Sequence, residues 1–210
     1  MHLADGVLST SVVVATSAVA AAGVAIGLKG IEDEDIPKIS LMSATFFGVS
    51  LISIPVPPTS VHPLLCGLIG ILLGRRLALA FLPALLLQAL LFRHGGLTTV
   101  GANTILLAIP GYLSYLLFRH LPIKNITLRG GLVGGLSVVI TVAVLVVLLA
   151  ITDPRFAQGD FSVAKIVAVG HLPLVAIEGI VTGFAVRFME KHKPDWVISG
   201  RGELADAQVQ

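Results

Sequence analysis

Long apolar runs alternate along this chain with short charged or turn-rich breaks. The runs fall near residues 9–28, 39–54, 60–74, 76–92, 98–118, 130–151 and 162–189. Each is of roughly bilayer length and predicts a membrane-spanning helix, because a helix satisfies its own backbone groups where no water can. The second and third are short for a hydrocarbon layer of ~30 Å. Pro55, Pro57 and Pro58 stand between them and interrupt regular helix. A broken or re-entrant stretch is expected there, enclosed by protein or a cavity. The predicted fold is all-α, a single seven-helix membrane domain over residues 1–195, followed by a loose polar tail over 196–210.

Composition supports the membrane reading. Of 210 residues, 55% are apolar and 12% charged, with a mean hydropathy of +0.96, more apolar surface than one soluble core can hide. The only cysteine, Cys66, excludes an internal disulfide framework and, set in an apolar run, reads as buried packing. The net charge of +2 says less than its placement. Lys29, Lys38, Arg75, Arg76, Arg119, Lys124, Arg129, Arg187, Lys191, Lys193 and Arg201 fall in breaks on one side, against Arg93, Arg155 and Lys165 on the other. This bias puts the N-terminus outside and the C-terminus in the cytoplasm. The acidic run Glu32 to Asp35 then lies in a cytoplasmic loop and reads as a solvated hairpin. His2, His62, His94 and His171 share the outer side, and His120 and His192 the inner.

The outer histidines draw attention to the opening residues, MHLADGVLS. Asp5 precedes the first run in place of a basic residue, and no small-x-small site closes it, so a removable signal peptide is not expected. His2 is too bulky a neighbour for removal of the initiator, which leaves Met1 with a free amine. That amine, the next backbone amide and the His2 imidazole then form a three-nitrogen chelate with one five-membered and one six-membered ring. A fourth nitrogen would complete a square suited to Ni²⁺ or Cu²⁺ and poorly suited to Mg²⁺ or Ca²⁺. For the dipeptide alone, chance is the better explanation. His62 changes that, since it starts an apolar segment on the same face and Pro63 stiffens its approach.

The opening residues, TSVH at 59–62, GILLG at 70–74, QALLF and HGGLTTVGAN within 88–103, and HLPLVAIEGIVTG at 171–183 together resemble the CbiM/NikM family. These are the substrate-capture components of energy-coupling-factor transporters for cobalt or nickel. The resemblance implies metal ligation by Met1 (amine), His2 (amide and imidazole) and His62, within a chelating segment 1–8. It also implies a prokaryotic plasma membrane and three kinds of partner: a coupling subunit like CbiQ/NikQ, ATPase subunits like CbiO/NikO, and a small accessory subunit like CbiN/NikN. No cofactor is implied, since Co²⁺ or Ni²⁺ is the cargo, and no nucleic-acid partner. Leu3 and Ala4 stand where relatives more often carry Ile-Pro, which makes the entering strand less rigid.

His94 and Asn103 are candidates to orient the ligating imidazoles by hydrogen bonds, as metal-bound histidines usually require. Gly95 and Gly96 read as turn residues. His171 and Glu178 lie two turns apart on one helical face and read as a buried polar network. Ala18 with Ala22, and Gly23 with Gly27, are small-residue pairs suited either to a partner helix or to internal packing. The chain has no GxxxxGK[ST] loop for ATP. The rival readings are a membrane-embedded metal-dependent enzyme and a passive membrane subunit. The enzyme finds no HExxH, no GxSxG and no paired intramembrane aspartates, and the passive subunit needs no free amine.

Overall fold

The computed structural model describes residues 2–52, 54–56, 59–159 and 162–197. Its helices are α1 (Thr10–Leu28), α2 (Asp35–Val49), α3 (Cys66–Leu73), α4 (Leu77–Phe92), α5 (Val100–His120), α6 (Ile126–Thr152), α7 (Val163–Gly170) and α8 (Leu172–His192). One antiparallel hairpin interrupts them, β1 (Ile54–Val56) with β2 (Thr59–Val61), in the register Ile54 opposite Val61. The proline-rich break is therefore a strand pair. The run expected to be helical from 60 starts its helix only at Cys66, because β2 extends to Val61 and Pro63 follows it.

By length and apolarity, five helical stretches qualify as membrane spans: Thr10–Leu28, Cys66–Phe92, Val100–His120, Ile126–Thr152 and Val163–His192. The expected count was seven. Two differences account for it: α2 has only 15 residues, and the runs at 60–74 and 76–92 join as one apolar stretch. That stretch is not one straight rod, because Gly74 leaves the helical region at φ 52 and ψ −125. On one side of it, Arg75 and Arg76 donate to the carbonyls of Lys29 and Gly30 beyond the C-terminal end of α1. On the other, His62 and His94 bring the start of α3 and the end of α4 to the opposite end, with ring centroids 5.3 Å apart. The path thus doubles back at Gly74–Arg76.

These contacts define a histidine end and an arginine end. At the arginine end Asp35 pairs with Arg76, and Lys38 donates to the Trp196 carbonyl. Trp196 packs against the core and Val197 is buried, so the chain expected to loosen at 196 is still packed there. Residues 198–210 of that tail lie outside the described residues.

The core is centred on α3, whose eight residues are all buried. Glycine makes that possible. A Cβ on Gly70 would stand 1.9 Å from the Gly111 carbonyl oxygen on α5, and one on Gly67 2.8 Å from the Gly134 Cα on α6. Gly131 and Gly179 let α6 and α8 meet backbone to backbone in the same way. Large apolar side chains instead crowd the outside, among them Leu91, Ile151, Ile180 and Phe184, each more than 60% exposed. That distribution suits lipid as the surrounding medium. On α1, Gly23 and Gly27 face Ala78 and Leu79 of α4, whereas Ala18 and Ala22 are exposed. The two small-residue pairs therefore divide between internal packing and a free face.

Candidate metal centre

At the histidine end, His2, His62 and His94 converge from the N-terminal segment, the β2–α3 connection and the α4–α5 loop. Their ligand-type nitrogens all lie within 4.8 Å of one another. His62 Nε2 is 3.2 Å from His2 Nδ1, and the two rings are nearly parallel, at 17°. His94 meets the His2 ring edge-on, with centroids 4.4 Å apart. His62 Nδ1 donates to the Pro63 carbonyl at 3.0 Å, which leaves the Nε2 lone pair directed at His2. Two neutral imidazole nitrogens so placed can share one transition-metal ion, and among the described residues no carboxylate joins the group to favour a hard cation. Met1 lies outside the described residues.

Three polar side chains hold the N-terminal segment in place. Asn103, buried near the start of α5, accepts from the Leu3 N–H at 2.8 Å and donates to the Leu3 carbonyl at 3.0 Å. The Thr99 hydroxyl donates to the same carbonyl at 2.7 Å. Asp5 accepts from the N–H groups of Leu97 and Thr98 and from the Thr98 hydroxyl. Asn103 was expected to bond an imidazole. It spends both amide atoms on Leu3 and so fixes His2 through the adjoining backbone. His94 makes ring contact with His2, and His2 Nε2 has no hydrogen-bond partner among the described residues.

Gly95 and Gly96 do form the turn, with Gly95 at φ +85, and they also make room. A Cβ on Gly96 would stand 2.2 Å from Asp5 Oδ1. Sequence reasoning passed over Asp5 and Thr99. The available signal was their place inside the strings MHLADG and HGGLTTVGAN, since a carboxylate and a hydroxyl in loops tend to bond nearby backbone. Asn103→Ala would remove the acceptor of the buried Leu3 N–H and leave its carbonyl to the Thr99 hydroxyl alone. It is expected to lower metal affinity about 10–100-fold, as read by calorimetric titration, with the helices intact by circular dichroism.

Burial lowers His2 from its ordinary 6.5 to about 2, with His94 adding to the effect. Burial likewise lowers His94. Both rings are thus neutral and able to ligate at physiological pH. An undocked N-terminal segment takes up a proton at His2 below about pH 6.5 and the docked one does not, so docking weakens as pH falls from there toward 2. Hydrogen exchange at the Leu3 amide of metal-free protein is expected to accelerate through that window beyond its intrinsic pH dependence.

The other candidates lie apart from this cluster. His171 Nδ1 donates to the Val167 carbonyl at 2.7 Å. Glu178 is fully buried and accepts from the backbone of Leu64 and Leu65, so the polar network expected of it runs to peptide groups. Cys66 is buried packing, 3.5 Å from the Thr141 hydroxyl. His120 and His192 sit exposed toward the arginine end, each bonded to its own helix.

The family model described as the cobalt uptake substrate-specific transmembrane region, CbiM, matches residues 2–196. The cobalt transport protein CbiM of Sorangium cellulosum is 34% identical over 93% of this chain and 93% of its own length. That of Clostridium tetani is 32% identical over 91% of this chain and 85% of its own. A crystal structure of a truncated transition metal transporter superposes with a TM-score of 0.79, at 23% identity, over 91% of this chain and 99% of that one. At that identity the likeness speaks for the fold.

Proposed function

Since the chain belongs to the CbiM family of cobalt-uptake substrate-specific transmembrane proteins, we propose that it captures Co²⁺ or Ni²⁺ with four nitrogens: the Met1 amine, the His2 amide and Nδ1, and His62 Nε2. The family supplies the coarser statement, a membrane component of metal uptake that is a transporter and not an enzyme. The observation that carries the finer one is the 3.2 Å approach of His62 Nε2 to His2 Nδ1. Two cis ligands of one small ion come about that close, and the hydrogen bond that the two nitrogens share without the ion keeps both turned toward one point.

In this reading the chain crosses a prokaryotic plasma membrane seven times, with the histidine end outside. The doubling back at Gly74–Arg76 supports one of the two extra crossings, the apolar helix α2 is the other, and the crowding of basic residues at the other end supports the orientation. The hydrated ion loses its water on entering the nitrogen set, and the amide proton leaves with it. Release inward follows reorientation of the component within a complex. Its ATP is hydrolysed by partner subunits, joined through a membrane coupling subunit and accompanied by a small accessory one. The exposed Ala18 and Ala22 face of α1 suits close approach by such a partner helix.

Titration of the purified protein with Ni²⁺ tests the site. The wild type is expected to give a diamagnetic, square-planar spectrum, and His2→Ala to lose it. His62→Ala is expected to keep the N-terminal chelate with a visible band moved to lower energy, as water replaces imidazole. Unchanged binding in His2→Ala would sink the reading. His94→Ala serves as the control, because on this reading it leaves the band in place.

A further inference from the structure

His62 reaches the site from a strained piece of backbone. Between β2 and α3 the chain passes through Leu65 at φ 52, a left-handed conformation that a branched side chain disfavours. The N-terminus of α3 carries no side-chain cap from its own neighbourhood. The N–H groups of the two residues leading into it are met from a distant helix. On α8, Glu178 Oε1 accepts from Leu64 N–H at 2.5 Å and Leu65 N–H at 3.0 Å, and Oε2 accepts from Leu65 N–H at 3.2 Å.

This is a costly device. A fully buried carboxylate gives up its hydration, and an uncharged acceptor or a local serine cap would satisfy two peptide groups at less expense. What Glu178 adds is stiffness: two consecutive N–H groups bonded to one side-chain oxygen hold that backbone unit against rotation. Two residues earlier, the Nδ1 bond to Pro63 fixes the His62 ring on the same backbone. Together these constraints leave His62 Nε2 one direction of approach. Metal sites tolerate only about 0.5 Å of ligand misplacement.

We propose that Glu178 is a positioning residue of the metal site, holding the Leu64–Leu65 turn so that His62 serves as the fourth nitrogen. The proposal rests on the four-nitrogen reading above. It assigns Glu178 no contact with the ion, and it accounts for a buried acid that the capture chemistry does not otherwise use.

The test uses the full-length protein with Ni²⁺ as probe. Glu178→Ala is expected to reproduce the lower-energy band of His62→Ala, keep the N-terminal chelate, and lose about 10–100-fold in affinity. Glu178→Gln retains one oxygen for the Leu64 and Leu65 N–H groups and is expected to restore the wild-type band, a rescue that loss of general stability would not show. Glu178→Asp, which withdraws the carboxylate by one methylene, is expected to behave as the alanine variant and replaces it should that protein fail to accumulate. In a His62→Ala background, Glu178→Ala is expected to cost no further affinity, because the ligand it positions is already gone. A wild-type band in both Glu178→Ala and Glu178→Asp, or an equal added loss in the His62→Ala background, would overturn the proposal. If the wild type itself gives no square-planar band, it is the four-nitrogen reading that fails, and that result is read before any Glu178 variant is made.

Discussion

Two residues added ahead of Met1 are expected to lower Ni²⁺ affinity by at least about a hundredfold and to remove the square-planar spectrum. The amine and the His2 amide nitrogen close one chelate ring, and the same amide with His2 Nδ1 closes the next. Extension converts the amine into an ordinary peptide nitrogen and moves the new amine out of ring-closing distance. Even groups that only orient metal ligands are worth about 10–100-fold, so losing the amine, and with it the anchor that lets the adjoining amide give up its proton to the metal, must exceed that. The number of added residues matters. One residue would put histidine third in the chain, where amine, two amides and imidazole can complete a square without His62. Two residues put it fourth, where small rings no longer close. Calorimetry and the visible spectrum of wild-type and extended protein decide the matter, and retention of both affinity and band in the extended protein would exclude the chelate.

Gly70→Ala is expected to prevent accumulation of folded protein. Its Cβ would lie 1.9 Å from the Gly111 carbonyl oxygen and 2.6 Å from the carbonyl carbon, both backbone atoms that move only if α3 and α5 separate. Overpacking ordinarily costs about 1–3 kcal/mol and more where nothing can yield. Here α3 is buried throughout, and His62 precedes it, so capture should fail together with folding. Gly48→Ala is the contrast, since a Cβ there meets nothing within 4 Å. That change is expected to be neutral or to stabilise by about 0.5–1 kcal/mol through helix propensity. Yield of monodisperse protein in detergent and its melting temperature should separate the two variants, and equal behaviour would refute the packing account.

The membrane character, the position of most helices and the histidines worth attention were legible in the sequence because they are local. An apolar run of bilayer length has few other places to go, and proline at 55 and 63 breaks a helix wherever it lies. The family strings were legible for the same reason, each being a short contiguous motif. The divided roles of the small residues on α1 were not: Gly23 and Gly27 face inward because α4 lies against them, and Ala18 and Ala22 stay open because nothing described does.

The two residues that shape the site most also depended on the fold. Asn103 had the chemistry to bond an imidazole, and packing gave it the Leu3 backbone instead, 100 residues away in sequence. Glu178 read as an acid in need of a partner, and its partners are peptide groups 113 and 114 residues distant. Sequence by itself pointed to a membrane protein, and to the opening residues with His62 as the set proposed to ligate metal. Which side chains hold that set in place was decided only by tertiary structure, because a hydrogen bond is specified by distance and direction between atoms whose separation along the chain says nothing about their separation in space.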